Sequence, residues 1–199
     1  MADQKEKKQE QPLGWKKNTV LYLHDLLYMM IAIMVLFLLV FRVIVVSGSS
    51  MYDTLIDGDY LLLLSNQLYR NPQQGDIVVV SKKGFDDGEP IIKRVIATEG
   101  QTVDIDFDRG TVFVDGVALD EDYTYTPTNL SEGAQFPQTV QKDCYFVMGD
   151  NRNRSLDSRS LEIGQVDHRE ILGKALFLFL PGTDMGRAGP DFERVGVIQ

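Results

Sequence analysis

The chain has 199 residues, enough for one domain of ordinary size plus a short appendage. Its net charge is -9, which excludes a nucleic-acid partner, because no basic stripe exists and a phosphate backbone would be repelled. One cysteine, Cys144, and two histidines, His24 and His168, leave no disulfide, no convincing metal site and no good Ser-His-Asp triad, so no metal or cofactor is expected.

Residues 1–20 are polar and lysine-rich, with nothing to bury, and read as a disordered basic tail. The apolar stretch 21–46 follows. From Leu26 to Val46 it runs for about 21 residues with Arg42 as its only charge, the length a helix needs to cross a bilayer. A core helix is the competing reading, but a core helix in so small a domain is rarely apolar on every face. A cleavable leader fits poorly, since the apolar run is too long and no small-x-small site follows it. The stretch therefore reads as a transmembrane anchor. Lys16 and Lys17 before it place the N-terminus in the cytoplasm and residues 47–199 outside the membrane.

Beyond the anchor the texture changes to short β-like runs broken by glycine and aspartate. The candidates are Tyr60–Leu64, Asp76–Val80, Ile91–Ala97, Thr102–Phe107, Thr111–Val114, Cys144–Met148 and Lys174–Phe179. Asp115-Gly116 between valines signals a tight hairpin. Such a series predicts a mainly β domain of antiparallel sheets. The polar stretch 121–142 reads as a surface loop or insertion, and the segment after Pro181 as irregular until Val195–Ile198.

Three segments could carry chemistry. Ser47-Gly48-Ser49-Ser50-Met51-Tyr52-Asp53-Thr54-Leu55 clusters small residues directly after the anchor, as a linker or as a place where backbone meets a ligand. In Ile91-Ile92-Lys93-Arg94-Val95-Ile96, strand alternation sets Lys93 between Ile91 and Val95. Burial there would lower the lysine pKa and make it a base; the alternative is an edge-strand lysine that discourages aggregation. Gly149-Asp150-Asn151-Arg152-Asn153-Arg154-Ser155-Leu156-Asp157-Ser158-Arg159 is dense in turn formers and paired charges, as a solvated hairpin or a shelf supporting a site.

Together these segments resemble, in order, the boxes of the type I signal peptidases, and the short chain with its small insertion looks more like a Gram-positive bacterial member. Ser50-Met51-Tyr52-Asp53-Thr54-Leu55 resembles their serine box, Ile92-Lys93-Arg94-Val95-Ile96 their lysine box, and Gly149 to Arg159 their third box. The resemblance implies a membrane-bound serine endopeptidase with Ser50 as nucleophile and Lys93 as general base. It further implies that the Ser50 N–H contributes to the oxyanion hole. A second donor would come from position 48, here Gly48, which has no hydroxyl. Ser155 matches a serine that orients the lysine, Asp157 and Arg159 a structural ion pair, and Gly149 and Asp150 the supporting turn. The implied substrates are exported preproteins whose signal peptides carry small residues one and three positions before the cut. Their side chains would enter shallow pockets near Met51, Ile91 and Ile92, next to the lipid bilayer.

One residue departs from the pattern. Asp53 stands where the family has proline, and a carboxylate near Lys93 would favour its charged form. That departure keeps open a second reading, an impaired relative acting as a membrane-tethered assembly factor for surface proteins or pili.

Overall fold

The computed structural model describes residues 15–82, 84–85, 88–183 and 189–198. It comprises two units, one ending at Leu39 and one beginning at Val40. The first is a helix, α1 (Trp15–Val40). Its segment Asn18–Val40 holds an 18-residue window with a mean hydropathy of 2.4, none of which is buried, so the helix is apolar and exposed all round. That pattern suits lipid far better than water.

The boundaries differ from the sequence expectation at both ends. Of the expected tail, residues 1–14 lie outside the described residues, whereas 15–20 are helical. Once nucleated, a helix extends through Lys16-Lys17-Asn18-Thr19, which holds no breaker. At the other end, Phe41–Val45 is a strand, β1, rather than the last turns of the anchor. An unbroken apolar run has no periodicity to separate helix from strand, and the β-branched Val43-Ile44-Val45 favours the strand.

The second unit is built on antiparallel sheets. The larger contains β1, β2 (Tyr60–Ser65), β3 (Ile77–Val80), β4 (Ile91–Ala97), β9 (Cys144–Met148), β10 (Val166–Asp167), β11 (Ile171–Leu180) and β12 (Gly196–Val197). Its order is β1-β2-β11-β3-β4-β9-β10, with β12 beside β11. The smaller sheet has the order β7-β6-β5-β8, from β5 (Thr102–Asp106), β6 (Thr111–Val114), β7 (Val117–Ala118) and β8 (Gln138–Thr139). All seven strands anticipated from the sequence are present, and Asp115 and Gly116 take the positive φ of the hairpin turn, 52° and 79°. The stretch 121–142 is largely surface, but it also supplies β8.

Strand β4 lies between β3 and β9, and its residues from Ile92 to Ala97 are all buried. It feeds three apolar clusters. Ile92 joins Met51, Leu55 and Leu63; Val95 joins Val78, Val147 and Ile171; Ile96 and Ala97 join the cluster under the small sheet. Lys93 is therefore no edge residue.

Asp59 fastens the turn after Ser50 to the end of the chain. Its carboxylate is fully buried and accepts from the Ile56 and Gly182 N–H groups and from both terminal nitrogens of Arg194, at 2.9 and 2.7 Å. Arg194 also donates to the Thr54 carbonyl at 3.2 Å. Removing one partner of such a pair strands the other, so Asp59→Ala should destabilise the protein by about 3 kcal/mol. Thermal unfolding in detergent checks this, and an unchanged midpoint would show the pair to be dispensable.

Candidate active site

The turn from Val46 to Asp59 is held at its base by two backbone bonds, Val46 N–H to the Asp59 carbonyl and Gly58 N–H to the Val46 carbonyl. Gly48 has φ +86°, a conformation glycine adopts without strain, and its N–H donates to Asp57 Oδ1 at 2.8 Å. Gly48 thus shapes the loop, and its only donor is committed there rather than to an oxyanion. Among the described residues, the Ser50 N–H meets no acceptor.

Ser50 and Lys93 come together. Lys93 Nζ donates to Ser50 Oγ at 2.8 Å and to the Ile92 carbonyl at 3.0 Å. The lysine is 3% exposed, and burial lowers its pKa to about 8, against the opposing pull of Asp157, Glu132 and Asp150. Asp53 is exposed, and it is not among the charges that bear most on Lys93. The carboxylate that raised the question therefore faces solvent.

The third segment forms the shelf. Asp150 is fully buried and pairs bidentately with Arg94 at 2.9 and 2.8 Å, while the Thr54 hydroxyl donates to it at 2.6 Å. One carboxylate thus ties the serine loop to the lysine strand, since Arg94 adjoins Lys93. Asn151 closes the connection: its N–H donates to the Ser50 carbonyl and its side-chain amide to the Ser49 carbonyl, both at 3.0 Å. Asp157, also fully buried, accepts from Arg159 Nε and Nη2, the Gly149 N–H and the Ser155 hydroxyl. Ser155 therefore sends its proton to Asp157, which leaves its oxygen free to act as an acceptor.

Gly149 sits where no side chain fits. A Cβ there would lie 2.4 Å from the Ser50 carbonyl oxygen and 2.2 Å from Ser155 Oγ. Met51 and Ile92 pack together in one core cluster, whereas Ile91 flanks another, so the expected pocket residues do not form one surface.

Several contributors were not singled out from the sequence. Glu121 grips Arg152, which is fully buried and also bonds Thr128 and the Gly149 carbonyl. Glu132 reaches Arg159 at 3.7 Å, and its pKa is raised, mainly by burial and next by Asp157. The Tyr123 ring lies 4.0 Å from the Arg94 guanidinium. The stretch 121–142 is therefore pinned to the shelf by paired charges. Buried arginines announce that partners must exist, but not which acids far along the chain supply them.

The family model described as "Signal peptidase, peptidase S26" matches residues 20–180. "Probable signal peptidase I-1" of Synechocystis sp. is 38% identical over 151 residues, 72% of this chain and 74% of that one. "Signal peptidase I T" of Bacillus subtilis is 34% identical over 181 residues, 85% and 91% of the two chains. A crystal structure of a signal peptidase I from Enterococcus faecalis is 32% identical, with a TM-score of 0.42 over 53% of this chain and 97% of its own.

The crowding at position 149 is open to test. Overpacking of this kind costs about 1–3 kcal/mol. Gly149→Ala should lower the thermal midpoint by about 5 °C, read by differential scanning fluorimetry. A midpoint equal to that of the unaltered protein would contradict the close approach.

Proposed function

The chain belongs to the signal peptidase family, peptidase S26, and is a serine endopeptidase; on that premise we propose that it removes signal peptides from exported preproteins at a membrane, using Ser50 and Lys93. The observation that carries the assignment is the 2.8 Å bond between a buried lysine and that serine hydroxyl. A base must be neutral to accept a proton, and burial brings Lys93 to about 8, close enough to neutrality for a useful fraction to be unprotonated.

In this mechanism Ser50 Oγ attacks the scissile carbonyl while Lys93 Nζ takes its proton. The Ser50 N–H, free of other acceptors among the described residues, stabilises the developing oxyanion. Lys93 returns the proton to the leaving amine, and the mature protein departs with its new N-terminus. Neutral again, Lys93 deprotonates a water that attacks the acyl ester and frees the signal peptide and Ser50. Ser155, with its proton committed to Asp157, keeps an acceptor that would aim the lysine during turnover; at rest Lys93 Nζ donates to Ser50 Oγ and the Ile92 carbonyl. Asp150, Asp157 and Arg159 hold the geometry, and Gly149 permits the close approach.

The exposed apolar helix supports a single membrane anchor. Lys16 and Lys17 at its start support a cytoplasmic N-terminus and an extracytoplasmic β unit. Small side chains at the positions one and three before the cut, and contact with lipid, complete the reading.

Cleavage of a preprotein in detergent or liposomes provides the test. Ser50→Ala and Lys93→Ala should each lower kcat/KM by about 10³-fold or more. For the wild type, kcat/KM should rise with pH and level off above about 8, because the protonated lysine below that pH cannot accept the serine proton. Asp53→Pro should change little. Full activity in Lys93→Ala would remove the lysine from the mechanism. A wild type that cuts only after Asp53→Pro would mark a disabled site.

A further inference from the structure

A hollow of about 520 Å³ opens beside the serine loop, on the side of Ser49 and Asn151. Tyr52 and Tyr125 line it, their rings edge to face with centroids 4.8 Å apart. Asn151 also lines it, and the same residue binds the Ser49 and Ser50 carbonyls. Asn153, on the other side, is occupied in holding the Asn129 and Leu130 N–H groups and the Pro127 carbonyl. Arg154 also lines the hollow. It is exposed, and among the described residues no acid pairs with its guanidinium.

The hollow is larger than the small side chains expected one and three positions before the cut would fill, and Arg154 gives it a charge that they cannot use. Side chains of an extended chain alternate, so those two point one way, while the residues two before and one after the cut point the other. We propose that this hollow is a specificity subsite in which Arg154 recognises an acidic side chain at one of those two positions of the preprotein. The inference rests on the signal-peptidase reading above. The chain as a whole carries a net charge of -9, which by itself disfavours an acidic substrate. A preference for glutamate must therefore come from a local cation.

The experiment compares kcat/KM for one preprotein carrying Glu, Ala or Lys at the residue two before the cut, and the same three residues at the first position after it. The full-length protein in detergent should prefer Glu over Lys by about three- to fivefold at one of the two positions, the scale of an exposed ion pair. That preference should shrink as salt is raised. Arg154→Glu should reverse it while cutting the Ala substrate as the wild type does, which separates lost recognition from lost folding. Equal rates for Glu and Lys at both positions, or a Glu preference that survives in Arg154→Glu, would overturn the subsite and leave the peptidase reading intact. A wild type that cuts none of the substrates would overturn both.

Discussion

The arrangement depends on one constraint: an ammonium group has been taken out of water. Lys93 is 3% exposed on a strand paired on both sides, and the loss of hydration brings its pKa to about 8. Water stabilises an ammonium by many kcal/mol, so a chain keeps one buried only where the surroundings are rigid enough to hold it. Asp157, Glu132 and Asp150 pull the other way, while Arg159 opposes them. The result is a lysine between its two protonation states near neutral pH, in contact with a serine hydroxyl.

Rigidity comes from a frame of buried charge pairs. Asp150 joins the lysine strand to the serine loop through Arg94 and Thr54, Asp157 orders Arg159, Gly149 and Ser155, and Asp59 draws Arg194 onto the carbonyl of Thr54. Buried pairs of this sort add little net stability compared with apolar replacements, but they accept only one geometry. In a site where a displacement of about 1 Å can cost a hundredfold in rate, that selectivity is what matters.

The parts of the molecule that rest on local pattern were legible in the sequence. Short β-like runs broken by glycine and aspartate located the seven main strands, the Asp115-Gly116 turn one hairpin, and the long apolar run the helix. The run did not reveal where helix becomes strand, because Phe41–Val45 is as apolar as what precedes it. Ser50 and Lys93 were singled out through motif resemblance and through the burial implied by flanking aliphatics. The long-range partners were not legible. Nothing in Glu121 or Glu132 distinguishes them from surface acids until the fold brings Arg152 and Arg159 against them. The direction of Asp53 was likewise undetermined, since one residue in a turn faces solvent or the site according to backbone geometry that composition does not encode.

The central claim is that burial makes Lys93 a base, and a direct titration of that side chain tests it best. Isotope-labelled lysine in the detergent-solubilised protein, followed by NMR across the pH range, with Lys93 identified by its loss in Lys93→Ala, reports the protonation of Nζ without reference to any substrate. The account predicts a midpoint near 8. A midpoint near the ordinary lysine value of 10.5 would mean that water or a carboxylate keeps the ammonium charged, and that the 2.8 Å contact with Ser50 is only a structural hydrogen bond.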